Sequence, residues 1–151
     1  MTLSFGPFYH LYSKKEISKA IDEAIRVTKP GGIIMCAFLS IYAIMDTNYM
    51  YGRWNEGLKE NFDKKLNVLH FDEQLFTGYD IVEFEELFKN KNVDYVTTVG
   101  VDGNLESLEK IPSFSFTDKD FESYIDWYLN FAEKRELLGK SSHLLYLCKK
   151  R

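Results

Sequence analysis

A chain of 151 residues with 45% hydrophobic and 28% charged content carries enough apolar material for one buried core and too much for a disordered tail. Its formal net charge of -4, with the lysines dispersed among acids, supplies no field that would gather nucleic-acid phosphates. No apolar stretch is long enough to span a bilayer and residues 1 to 15 have no signal-peptide pattern, so a cytoplasmic chain that meets neither membrane nor nucleic acid is expected.

The first apolar run, at Leu3, breaks at Gly6-Pro7 and then presents Tyr9 and His10, as a strand does when it delivers side chains to a site at its carboxyl end. Ser13 and Glu16 have capping-box spacing, which predicts a helix from near Lys14 with Ile17, Ala20, Ile21, Ala24 and Ile25 on its inner face. Lys29-Pro30-Gly31-Gly32 stops that helix, and Ile33 to Leu39 follows as a strand so uniformly apolar that both of its faces are expected to be buried between helical layers. Strand, helix and strand in this order predict a right-handed parallel crossover.

Residues 40–77 read as a helical, lid-like insertion with Leu58, Phe62, Leu66 and Leu69 on one face, rich in aromatics such as Tyr42, Tyr49, Tyr51 and Trp54. Asp80 and Glu83 open a short helix, and a third strand begins at Val93. Thr117 and Asp118 cap a longer helix, with Phe121, Tyr124, Ile125, Tyr128, Leu129 and Ala132 expected inward and Gly139 ending the segment. His143 to Lys149 has almost no polar interruption, as a central strand would. Cys36 and Cys148 lie inside apolar runs and read as reduced core residues. His10, His70 and His143 show no metal-ligand spacing, so no metal is expected.

Three stretches, LSFGPFYHL, AIDEAIRVTKPGGIIMCAF and LLGKSSHLLYLCKK, together resemble the carboxyl-terminal half of a class I S-adenosylmethionine-dependent methyltransferase of the small-molecule methylase group. The resemblance implies an α/β fold. It would be a partial Rossmann-like sheet with strands equivalent to 4-5-7-6 and the last antiparallel, helices on both faces, and one domain over residues 1–151 with the aromatic insertion at 40–77. That family's Gly-x-Gly strand-loop, which lets backbone approach the cofactor, has no counterpart in this sequence, so the cofactor-binding half is expected to be missing and catalysis by this chain alone slight or nil.

By the same resemblance, S-adenosylmethionine is the cofactor of the complete enzyme and Ser4, Phe5, Gly6 and Pro7 form one wall of its site. His10 is then the candidate catalytic residue, orienting a small-molecule methyl acceptor or taking its proton, with anchoring of its own loop as the other role open to it. Tyr9, Tyr12, Tyr49 and Trp54 are candidate acceptor contacts, with core or lid packing as their alternative. His143 is expected to cap the loop before the last strand. An edge strand at Leu3 would offer unpaired backbone to another chain, so self-association or a separately supplied amino-terminal half is the expected partner. The alternative reading is a non-catalytic association module, homodimeric or complementing such a half.

Overall fold

The computed structural model describes all residues from 1 to 151. Its strands are β1 (Thr2–Ser4), β2 (Ile33–Ser40), β3 (Gly78–Tyr79), β4 (Val93–Gly100) and β5 (His143–Lys150). Its helices are α1 (Lys14–Val27), α2 (Ile41–Met50), α3 (Trp54–Asn61), α4 (Ile81–Glu86), α5 (Leu105–Leu108), α6 (Asp118–Phe131) and α7 (Arg135–Leu138), with a 3-10 turn over Pro7–Tyr9.

The strands form one mixed sheet in the order β1-β2-β5-β4. β1 runs parallel to β2 with Leu3 opposite Met35, and β5 runs antiparallel to both β2 and β4. The short β3 joins β2 in parallel at Leu39 and Ser40. Because His143 of β5 already takes the other side of Leu39, β3 continues the line of β1. β1 is therefore an edge strand, and half-exposed Leu3 and Phe5 mark that edge.

One face of the sheet carries the core. Ile34, Cys36 and Phe38 of β2 and Leu144, Tyr146 and Cys148 of β5 join Ile17, Ile21 and Ala24 of α1, Phe84 of α4 and Leu138 of α7 in one buried cluster. Phe38 and Phe84 stack with ring centroids 3.9 Å apart, and Phe8 meets Phe84 edge-on at 5.4 Å. Burial of such aromatic and aliphatic side chains contributes roughly 1.5–3 kcal/mol each. Both cysteines are free and buried, as their apolar surroundings predict.

The opposite face differs from the sequence-based expectation. β2 alternates strictly, with Ile33, Met35, Ala37 and Leu39 only partly buried, so it is not walled equally by helices on both sides. An apolar strand has no polar residue to reveal which face lacks a cover.

The insertion also differs. α3 ends at Asn61, Phe62 turns into a single antiparallel bridge with Val68, and Leu66 is exposed with a φ of 62°. Asp63 drives the change, because its carboxylate accepts from the backbone amides of Lys65 and Asn67 and so offers a tight turn in place of further helix. On α6, Phe121 and Leu129 lie exposed while Tyr128 and Ala132 are buried, which narrows the expected inner face.

Candidate functional site

The carboxyl ends of the parallel strands β1, β2 and β4 and the amino end of antiparallel β5 come to the same margin of the sheet, where ligands of open α/β folds sit. A cleft of about 520 Å³ opens there. Tyr9 and Phe76 line one side, Ala43, Ile44, Thr47 and Asn48 of α2 another, and Glu106, Ser142 and His143 the third. Local chemistry sets each wall. Gly6 adopts a φ of 122°, a conformation L side chains rarely take, and the turn it permits delivers Tyr9 to the cleft. Thr77 then donates its backbone amide to the Tyr9 carbonyl at 3.1 Å, which seats Phe76 beside Tyr9. Ser40, fully buried at the end of β2, caps α2 through its hydroxyl and donates its own amide to the Ser142 carbonyl at 2.9 Å.

The third wall is the most ordered in its polar bonding. Ser141 is fully buried, and its hydroxyl oxygen accepts the amides of Val101, Asp102 and Gly103 at 2.9, 3.0 and 3.1 Å. Gly103 reaches this arrangement with a φ of 57°. The Ser141 hydroxyl donates to Asp102 Oδ1 at 2.5 Å, and the same oxygen accepts the Ser142 amide at 2.8 Å. On its other side Asp102 accepts from Nδ1 of His143 at 2.7 Å. A carboxylate is an acceptor only, so Nδ1 carries a proton, and in the neutral ring Nε2 is the nitrogen that keeps its lone pair.

Burial raises the pKa of the Asp102 carboxyl, but the hydrogen bonds from His143 and Ser141 outweigh it and hold the group below the ordinary carboxylate value. The Asp102 hydrogen bond raises the His143 pKa above its ordinary value. Glu106 is held low by the neighbouring Ser142 hydroxyl and by Lys110, whose ammonium lies 3.2 Å from Oε1. Its Oε2 is buried with no hydrogen-bond partner. Ligand atoms of Asp102, Glu106 and His143 all lie within 4.8 Å of one another. The donors already gathered on both oxygens of Asp102 make this a hydrogen-bonded dyad with a second carboxylate beside it, not a vacant ligand set.

Of the residues singled out from sequence, Tyr9 lines the cleft, and exposed His10 packs on Tyr9 and Phe76 with ring centroids 5.1 Å from each. Ser4 ends β1, and Phe5, Gly6 and Pro7 form the turn beyond it. Tyr12 is not part of the cleft wall; its hydroxyl donates to the Gln74 carbonyl at 2.5 Å. Tyr49 and Trp54 pack edge-on at 5.9 Å, largely exposed and outside that wall. His70 stacks on Tyr79 between Thr77 and Glu83, away from the cleft. Sequence reasoning missed Asp102 and Glu106 and assigned His143 a purely local role. The one signal was a polar group, Val-Asp-Gly, at the end of a strand, and its partner lies 41 residues away.

No protein-family model matches this sequence, and comparison with curated proteins finds no match. Among solved structures, PKMT2 from Rickettsia typhi is similar, with a TM-score of 0.47 and 10% identity, over 99% of this chain and 35% of that one. The chain thus spans about a third of that protein's length, and an overlay so loose does not by itself define a fold. No helix is long and apolar enough to cross a membrane.

Proposed function

We propose that residues 1–151 form the acceptor-side half of an S-adenosylmethionine-dependent methyltransferase domain, with the cleft between Tyr9, α2 and His143 taking a small methyl acceptor. The observation that carries this reading is the sheet: β1, β2, β5 and β4 lie in that order, with β5 antiparallel. That is the pattern expected for strands 4-5-7-6 of the family the sequence resembles. The cleft at the carboxyl ends of the parallel strands gives the order a functional meaning.

S-adenosylmethionine, when bound, supplies an electrophilic methyl group on a sulfonium sulfur. Ser4 to Pro7 fit one wall of a site for it, because Gly6 presents bare backbone at a turn where an added Cβ would meet only the Tyr9 hydroxyl, at 3.7 Å. The second wall would come from a glycine-rich strand-loop, which these residues do not include. In the acceptor cleft, Tyr9 and Phe76 offer apolar contact and His143 a basic nitrogen, and orientation of the acceptor is the main contribution the residues present can make.

Amide-resolved NMR titration with S-adenosylhomocysteine tests the reading. Shifts confined to Ser4 to Tyr9 and the end of β2, saturating near millimolar concentration, are expected for one wall of a composite site, with Gly6→Val removing them. No shift at several millimolar would overturn the cofactor assignment. The second reading, an association module, draws on the open edge of β1 and the partly buried opposite face of β2.

A further inference from the structure

We propose that the ligand of this cleft is a small, mostly apolar amine, bound as its ammonium against Glu106, and that His143, held by Asp102, is the group that takes its proton. This rests on the reading of the cleft as an acceptor pocket and deepens it by naming the acceptor's chemistry.

The walls select the ligand. Tyr9, Leu39, Ala43, Ile44 and Phe76 make most of the lining apolar, and no lysine or arginine lines the cleft. The charged group on the wall is Glu106, with Asp102 behind His143. An anionic ligand would therefore meet like charge on the wall itself, with the balancing Lys110 ammonium outside the lining, whereas a cation meets the Glu106 side chain as its opposite charge.

His143 is placed for the proton. Asp102 fixes the imidazole with Nδ1 protonated, as a carboxylate orients the base in hydrolytic triads, so the lone pair on Nε2 is the free one and the ring borders the cleft. In the step proposed, an N–H bond of the ammonium breaks, its electron pair stays on the amine nitrogen, and the proton passes to Nε2. The product pair is a neutral, nucleophilic amine and an imidazolium stabilised by Asp102. The groups that act on His143 are Asp102 from the turn after β4 and Glu106 from α5, the latter tempered by Lys110; α2 contributes uncharged Thr47 and Asn48. The Asp102 hydrogen bond raises the basicity of the imidazole, which narrows a gap to an alkylammonium of about three to four pKa units, while Glu106 favours the ammonium and the imidazolium alike.

The test uses the full chain, benzylamine as probe and benzoate as control, and needs no cofactor. Above the His143 midpoint, nitrogen-15 shifts of the histidine side chains are expected to report Nδ1–H and bare Nε2 for His143 in the free protein. Benzylamine should shift His143, Tyr9 and Phe76 saturably, and its bound charge should lower the His143 midpoint; benzoate should do neither. Glu106→Gln should weaken benzylamine at least fivefold while leaving the amide spectrum elsewhere unchanged. A neutral ring carrying Nε2–H in place of Nδ1–H overturns the proton-acceptor role even where amine binds. Absence of benzylamine shifts at His143, or equal binding of benzoate, overturns the ligand class. Failure of S-adenosylhomocysteine to bind, with these results intact, would remove the methyl donor and leave an amine site.

Discussion

Asp102 joins two segments that are far apart in the chain, and its carboxylate is the reason they meet. The Ser141 hydroxyl, the Ser142 amide and the His143 ring all donate to it, so one half-buried charge organises the turn after β4 and the start of β5. The linkage to pH has two signs. His143 has a folded pKa above the ordinary 6.5, so its contribution is complete below that value and is lost as pH rises through the folded value. Asp102 has a folded pKa below the ordinary 3.8, so its contribution is present above that value and is lost as pH falls through the folded one. The pair is therefore worth most in the mildly acidic range between the two ordinary values. With about half of the imidazole in water, solvent screening limits its share to no more than about 1 kcal/mol. His143→Gln is expected to lower Tm by up to about 4 °C at pH 5.5 and by progressively less toward pH 9, measured by thermal unfolding across pH. A deficit that grew with pH would contradict the assigned ion pair.

At the scale of elements, α6 shows how local chemistry and packing divide the work. Its start is written in sequence: the Thr117 hydroxyl accepts the Asp120 amide and the Asp120 carboxylate accepts the Thr117 amide, a complete capping box. Thr117→Ala should cost about 1 kcal/mol, or roughly 2–4 °C in Tm, with the folded spectrum retained. The face that α6 buries was less legible. Helical period names a wide apolar stripe of Phe121, Tyr124, Tyr128 and Leu129, but the contact is made by Tyr124 and Tyr128, stacked 5.7 Å apart beside Gly103. Gly103 has no side chain, so the Tyr124 hydroxyl and the Tyr128 ring close over it, and Phe121 and Leu129 are left outward. A period alone cannot register such a fit.

For the molecule as a whole, the sheet is asymmetric. One face holds the core under α1, α4 and α7, while the other leaves Ile33, Met35, Ala37 and Leu39 partly buried and ends at the open edge of β1. Unpaired edges with apolar side chains invite another strand. Light scattering at high concentration is expected to report a species larger than one chain, and Leu3→Lys should shift it toward monomer. A strictly monomeric chain at the highest attainable concentration would remove the association reading.

Sequence by itself determined where most elements begin, because capping groups, Pro-Gly-Gly and apolar period act within a few residues of each other. Ser13, Asp80 and Thr117 each start a helix, and β2 and β5 occupy the expected runs. It also placed Tyr9 at the carboxyl end of a strand, where the cleft lies. Only the tertiary structure decided that Asp102 and His143 form a dyad, that Tyr49 and Trp54 stay outside the cleft wall, and that one face of β2 is thinly covered. Each of these depends on contacts between residues distant in the chain, where sheet order and the fit of facing side chains set the outcome and no local signal is written.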